Sequence, residues 1–289
     1  MQQADITSRD RLLKGIPVEQ RRVEVDGIDS VVLEGGQGPP MVLLHGGIES
    51  GGVYWAPVIA HLAESHRVVV PDLPGLGESE PFDRLDAVAF ADWLTGLLQL
   101  TCEEAPTLIA HSLDGSLAAR FAADRGELLR RLVLMGVPGI GRYRMPLGLL
   151  VTAIRFDLRP TERNNERFLT WAFLDPERTR RRDPEWFDAF NAYSLSRASV
   201  PHVKRTMRRL IKAGTKQIPD TELRRIDVPT ALLWGRHDRM APLSLAQAAS
   251  TKFGWPVHVI DDVGHVPFLE QPDAFLGALS DVTREKEEK

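Results

Sequence analysis

Three residues of this chain are of the types that together make an activated nucleophile: Ser112, Asp238 and His265. A serine hydroxyl attacks poorly until a base takes its proton. A histidine base works best when a carboxylate holds its ring. Ser112 stands in Thr107-Leu108-Ile109-Ala110-His111-Ser112-Leu113-Asp114-Gly115, which reads as a strand, a sharp turn and then a helix. A serine in such a turn is lifted clear of the sheet, and the tightness of the turn asks for small neighbours. The helix that follows sets free N–H groups and its positive dipole end beneath the serine, a good place for an oxyanion. Alone, a serine ahead of a helix is more commonly an N-cap, so the reading depends on its partners.

Both partners follow strand-like runs. His265 lies in Asp261-Asp262-Val263-Gly264-His265-Val266-Pro267-Phe268, a glycine-containing loop after the last strand run. Asp238 ends Trp234-Gly235-Arg236-His237-Asp238, directly after another. Open α/β sheets keep their sites at the C-terminal ends of strands. The other histidines have weaker claims. His45, beside Gly46 and Gly47, is expected to brace a loop. His111 is expected to point away from the site, and His237 to face away from Asp238. His61, His66, His202 and His258 have no helpful neighbourhood. No spacing of histidines and acids suggests a metal site, and the single cysteine, Cys102, allows neither an intramolecular disulfide nor a cysteine-based zinc site. No cofactor is expected.

The elements that must position these residues alternate along the chain. Val23–Val25 and Val31–Leu33 read as an antiparallel opening pair. Met41–Leu44, Val68–Val70, Thr107–Ala110, Leu132–Met135, Ala231–Trp234 and Val257–Ile260 are short apolar runs that suit buried central strands. Phe90, Trp93, Leu94 and Leu97 fall at helical spacing, as do Leu117, Ala118, Phe121 and Ala122. Strands alternating with helices predict an α/β fold with a mostly parallel sheet covered on both faces. The rhythm breaks between residues 142 and 222, where only helical signals occur. Asp183-Pro184 has the chemistry of a helix start. The expected organisation is a core of residues 1–141 and 223–289, interrupted by a helical cap at 142–222.

Composition bounds the class. With 43% hydrophobic and 26% charged residues, the chain is globular rather than disordered. A net charge of −4 carries no nucleic-acid footprint. Met1 to Lys14 is polar and lacks the apolar stretch of a signal peptide. No run reaches the roughly 18 apolar residues of a membrane span. A soluble, cytoplasmic protein acting on a small molecule is expected, with Thr283–Lys289 as a charged, fraying tail. The predicted cap is basic, with 17 Lys/Arg against 10 Asp/Glu. Arg178, Arg180, Arg181 and Arg182 form either a solvated face, a feature that attracts anions, or a means of docking the cap on the acidic core. Trp171, Phe173, Trp186, Phe187, Phe190 and Met207 either hold the cap together or line an apolar acyl pocket.

From about residue 20 to 280 the chain resembles the α/β-hydrolase superfamily. His45-Gly46-Gly47 is similar to its oxyanion loop. Asp72-Leu73-Pro74-Gly75-Leu76-Gly77-Glu78-Ser79 is similar to its Asp-x-Pro-Gly-x-Gly-x-Ser turn. Gly235-Arg236-His237-Asp238 resembles its acid turn, and Gly264-His265-Val266-Pro267, with Glu270 and Pro272, its histidine loop. The order Ser, Asp, His is that of the family. The resemblance implies Ser112 as nucleophile, His265 as general base, Asp238 as the acid that orients it, and the backbone N–H groups of Gly47 and Leu113 as the oxyanion hole.

A serine at the nucleophile position argues against the epoxide-hydrolase and haloalkane-dehalogenase branches. The loop His45-Gly46-Gly47-Ile48-Glu49 lacks the glycine–proline runs of proline-iminopeptidase-like members and of many carbon–carbon bond hydrolases. A carboxylic-ester hydrolase, in a group with lactonases and thioesterases, is the favoured reading. Two alternatives stay open: a carbon–carbon bond hydrolase, and a catalytically weak ligand-binding or scaffold protein. The second rests on the elbow. Its usual pattern is Gly-x-Ser-x-Gly, but Ala110 and Asp114 stand at the glycine positions, and Gly115 follows one place late. A carboxylate at 114 is expected to oppose a nearby oxyanion, so that removing it would raise the rate.

Overall fold

The computed structural model describes residues 7–81 and 84–284. Among the described residues, eight strands form a single sheet: β1 (Glu19–Val25), β2 (Ile28–Gly35), β3 (Pro40–Leu44), β4 (Arg67–Pro71), β5 (Thr107–His111), β6 (Arg131–Met135), β7 (Thr230–Gly235) and β8 (Val257–Ile260). Their spatial order is β1-β2-β4-β3-β5-β6-β7-β8. The β1–β2 and β2–β4 pairs are antiparallel, and all others are parallel. The opening hairpin turns at Asp26-Gly27, both with positive φ, the two-residue connection that matches strand twist. Every residue of β3 and β7 is buried, as strands covered on both faces require.

Thirteen helices are described: α1 (Ser8–Leu13), α2 (Ala56–Leu62), α3 (Ala87–Thr101), α4 (Ser112–Arg125), α5 (Leu147–Leu158), α6 (Glu162–Ala172), α7 (Pro176–Arg182), α8 (Pro184–Ala198), α9 (Pro201–Gly214), α10 (Asp220–Leu223), α11 (Leu243–Phe253), α12 (Pro267–Glu270) and α13 (Pro272–Arg284). The expected apolar faces of α3 and α4 are buried, including Phe90, Trp93, Leu94, Leu97, Leu117 and Phe121. From β3 the chain steps to β4 on one side and then to β5 on the other. The loops after β3 and β5 therefore part at a topological switch point, where such sheets leave a crevice. Between β6 and β7 the described chain contains no strand and passes through α5 to α10. Asp183 caps α8, its side chain accepting from the Trp186 N–H at 3.0 Å.

The first and last described segments are helical despite their polar composition. Thr7 and Asp10 form a capping box that starts α1 within the polar segment Met1 to Lys14. Arg9 of that helix is 2% exposed. Its Nη1 donates to Tyr193 Oη on α8 at 3.0 Å, and its Nη2 pairs with Asp72 Oδ2 at 3.1 Å. A buried cation thus joins the first helix, the inserted helices and the sheet. At the other end α13 continues through Thr283 to Arg284, because Phe275, Leu279 and Val282 give it an apolar face. The fraying tail expected from Thr283 onward does not begin there, and 285–289 lie outside the described residues.

Candidate active site

Strand β5 delivers Ser112 to the sheet edge, and the chain then turns sharply into α4. Ser112 takes φ +50°, a left-handed conformation that a non-glycine residue adopts at a cost, and one that concentrates at functional turns. The close approach that demands glycine falls at 115. A Cβ there would sit 2.3 Å from Val137 Cγ2 and 3.0 Å from the Ala110 carbonyl oxygen. The glycine expected at 114 is thus displaced by one residue, and the side chain of 114 is free to do something else.

The three singled-out side chains meet. Ser112 Oγ and His265 Nε2 are 2.9 Å apart, and His265 Nδ1 and Asp238 Oδ2 are 2.8 Å apart. An ionised carboxylate only accepts, so Nδ1 carries the proton and Nε2 is left to accept from the serine hydroxyl. Asp238 Oδ1 accepts the Met240 and Ala241 N–H groups at 2.8 and 2.7 Å, which fixes the carboxylate plane. His237 is exposed while Asp238 is buried, as their adjacency implied.

A model of the α/β hydrolase fold family matches residues 39–272. The chain belongs to the α/β hydrolase fold family. The pimeloyl-[acyl-carrier protein] methyl ester esterase of Methylococcus capsulatus is 30% identical over 81% of this chain and 90% of its own. The 2-hydroxy-6-oxo-6-(2'-aminophenyl)hexa-2,4-dienoic acid hydrolase of Metapseudomonas resinovorans is 25% identical over 92% and 93%. The structure of naproxen esterase from Bacillus subtilis superposes with a TM-score of 0.80 at 20% identity, covering 96% of this chain and 95% of that one, a likeness of fold.

In this α/β hydrolase the loop bearing His265 is tied to the inserted helices. Glu270 is buried, and its two oxygens accept the N–H groups of Gly264 and Leu174, each at 2.7 Å. Burial pushes its carboxyl up to about 7, against the pull of those amides. The His265 N–H donates to the Ala172 carbonyl at 2.8 Å. The arginine cluster joins this bracing. Arg182 donates to the Glu270 and Leu269 carbonyls, and Arg178 to that of Asp262. Arg180 and Arg181 pair with Glu177 and Asp175.

Two further residues differ from expectation. His111 does not point away: its Nε2 donates to the His265 carbonyl at 2.9 Å, and the two rings lie 4.5 Å apart. Strand alternation ends where Ser112 turns left-handed, so neighbouring side chains no longer face opposite ways. Burial holds the His111 ring neutral, far below its ordinary range. Asp114 is fully buried, and its Oδ2 accepts the Gly46 N–H of the oxyanion-type loop at 3.0 Å. Burial pushes this carboxyl up to about 7, moderated by the Gly46 and Gly47 amides. Asp114 is therefore an anchor of that loop as well as a charge beneath it. His45 braces the same loop as expected, accepting the Leu73 N–H at Nε2, 3.0 Å away. Burial depresses its pKa to about 3.

Gly136, just past β6, is a residue that motif reading missed. It has φ +58°, and a Cβ there would lie 2.7 Å from His265 Cε1. The available signal was a glycine ending an apolar run, which marks a close approach. A cleft opens above Ser112, walled by Met145, Leu149, Phe156, Phe168, Leu169 and Ile211 among others. Of the six aromatic and Met candidates, Phe173, Phe190 and Met207 line it. Trp186 instead stacks on Phe190, and Phe187 packs on Phe173. Glu49 is the one acidic residue among those lining the cleft, and burial pushes its carboxyl up to about 7. No group of three or more His, Cys, Asp or Glu among the described residues is placed to hold a metal ion.

Proposed function

We propose that this hydrolase cleaves carboxylic esters, with lactones and thioesters as chemically related substrates, through an acyl-enzyme on Ser112. His265 Nε2 takes the hydroxyl proton as Oγ attacks the carbonyl carbon. Asp238 holds the imidazole and stabilises its protonated form. The N–H groups of Gly47 and Leu113 receive the oxyanion, the first from the loop after β3 and the second from the first turn of α4. His265 then hands its proton to the leaving alkoxide and activates the water that frees the acid. The helices of 142–222 act as a cap whose apolar wall takes the acyl chain. The reaction draws on the chain's own groups, and a small-molecule ester is the partner it calls for.

The observation that carries this reading is the unbroken relay from Asp238 to His265 to Ser112, at 2.8 and 2.9 Å. The 30% identity to a methyl ester esterase supports the ester class. The test is a panel of p-nitrophenyl esters of graded acyl length, lactones and thioesters, with labelling by a serine-reactive phosphonate. Ser112→Ala should abolish labelling and lower kcat by about 10⁴–10⁶-fold. Unchanged turnover in the folded variant would sink the assignment. Failure of the wild-type chain to react at all would favour a scaffold or ligand-binding role.

Carbon–carbon bond hydrolysis has one observation in its favour, the 25% identity to a dienoic acid hydrolase across nearly the whole chain. A 2-hydroxy-6-oxohexa-2,4-dienoate in the same panel separates the two. Preference for the dienoate over every ester would reverse the order proposed.

A further inference from the structure

Helix α5 presents a face that none of the described residues covers. Leu147, Leu150, Val151, Ile154 and Leu158 are 74%, 41%, 39%, 48% and 65% exposed. Their spacing places them on one stripe of the helix, opposite the buried Leu149 and Phe156. A contiguous row of large aliphatic side chains in water is unusual for a protein surface and marks a docking site.

The surroundings of that stripe are cationic. Arg155 and Arg159 are exposed at the C-terminal end of α5. Asp157 joins α5 to α9: Arg208 pairs with its carboxylate at 2.7 Å, and Lys204 donates to its carbonyl. Leu150 and Ile154 of α5 line one cleft together with Lys204 and Arg208 of α9, so stripe and basic helix share a face. Along α9 a shallow depression is walled by Lys204, Arg205, Arg208, Arg209, Lys212 and Pro201. The cleft between the helices also shares Glu49, Met145, Phe156, Phe168 and Met207 with the walls of the cleft above Ser112. The apolar route to the serine thus opens at the apolar stripe.

From this arrangement we infer that α5 and α9 seat the enzyme on the surface of an anionic phospholipid bilayer. The α5 stripe enters the headgroup–acyl boundary, and the α9 cations face the phosphates. An apolar stripe flanked by arginine and lysine is the pattern of an interfacial helix. A second copy docked stripe to stripe by a two-fold axis would bring the basic helix against itself, which charge opposes. No helix of the described residues is long and apolar enough to cross a membrane, so the attachment is peripheral and reversible. Delivery of an acyl substrate from the bilayer into the cleft is a corollary, and that step rests on the esterase reading. The docking itself does not.

The test is co-sedimentation with phosphatidylcholine vesicles, with and without phosphatidylglycerol, using the full chain. Wild-type protein is expected to bind the anionic vesicles at least tenfold more tightly than the neutral ones, and salt should weaken the binding by screening. Leu147→Ser, Val151→Ser and Leu158→Ser combined should lower anionic-vesicle binding at least tenfold, while turnover of a soluble short-chain ester stays within twofold. Arg155→Gln with Arg159→Gln should weaken binding to anionic vesicles only. Absence of wild-type binding, or equal binding by the triple variant, overturns the inference. So does a concentration-dependent dimer that the triple variant dissolves, or binding to an acidic carrier protein in place of vesicles. If the docking holds but Ser112 proves inert, only the esterase reading fails.

Discussion

Replacing Asp114 sets two physical effects against each other. An ionised carboxylate about 7 Å from a developing oxyanion, at an effective dielectric near 20, opposes the transition state by about 2 kcal/mol. With its carboxyl pushed up to about 7, Asp114 is un-ionised in about half of the molecules at neutral pH, and these react unopposed, so the averaged penalty is only about a factor of two in rate, roughly 0.4 kcal/mol. On the other side stands the bond from the Gly46 N–H. Deleting its buried acceptor strands an amide at a cost of about 1–3 kcal/mol. It also loosens the loop whose next amide, Gly47, is the proposed oxyanion donor, and losing one such donor costs about 10²–10³ in rate. The anchor outweighs the repulsion. Asp114→Gly should lower kcat/KM about 10- to 100-fold, contrary to the gain expected from charge alone. Asp114→Asn keeps an oxygen for Gly46 and carries no charge. It should match the wild type within about threefold near pH 6 and exceed it by up to about 30-fold near pH 9, tenfold being about 1.4 kcal/mol. The same variant reports on stability. The carboxyl lies at about 7 in the folded chain against 3.8 ordinarily, so its contribution is fully present below pH 4 and lost as pH rises to 7. Each unit corresponds to about 1.4 kcal/mol, so wild type should lose up to about 4 kcal/mol more than Asp114→Asn across that window. Steady-state kinetics and urea unfolding at several pH values measure both. A folded Asp114→Gly protein faster than wild type would refute the anchoring argument.

Other perturbations follow from the same contacts. Arg9→Ala leaves Asp72 buried without its cation and should cost about 3–5 kcal/mol by urea unfolding, with Arg9→Ala/Asp72→Asn recovering part of it; additive losses would show that the pair does not interact. Gly136→Ala adds a methyl 2.7 Å from His265 Cε1 at a positive φ and should lower kcat about 100-fold with the fold kept, read by ester turnover and circular dichroism. Arg178→Gln with Arg182→Gln should make activity more heat-labile and lower it by the same factor for anionic and neutral esters, because both arginines hold carbonyls of the histidine loop. A selective rise in KM for anionic esters would restore the steering role.

The site is held by loops that fasten one another. His111, next to Ser112, supports the carbonyl of His265. Asp114, two residues beyond Ser112, holds the loop after β3. Glu270 joins the histidine loop to Leu174 between α6 and α7. Each link satisfies a backbone group that burial would otherwise leave costly. A rearrangement of the inserted helices therefore reaches His265 through Glu270 and the Ala172 carbonyl, which couples the wall of the cleft to the Ser112–His265–Asp238 geometry.

The strands and the meeting of Ser112, His265 and Asp238 were legible because local rules and global placement agree there. Short apolar runs bounded by glycine and proline leave few alternatives to buried strands, and strand C-termini in such a sheet converge on one crevice. The roles of His111, Asp114 and the arginine cluster were not legible, since each is decided by a backbone group far away in sequence. Asp114 illustrates this. Local reasoning sees a carboxylate near a future oxyanion, but its partner, the Gly46 N–H, lies 68 residues earlier and is reached only once β3 and β5 pair. The arginines read as a solvated, steering or docking patch until α7 lies against the histidine loop, where two of them meet carbonyls. Arg9 was invisible for a further reason: a charged residue in a polar stretch near a chain end carries no sign that a buried Asp72 and Tyr193 await it. The aromatic residues of the insertion divide in the same way. Phe190 faces the cleft while Trp186, four residues earlier, covers its outer side. Helical spacing puts both on one face, and only the packing of α8 between core and cleft decides which of them a substrate would touch.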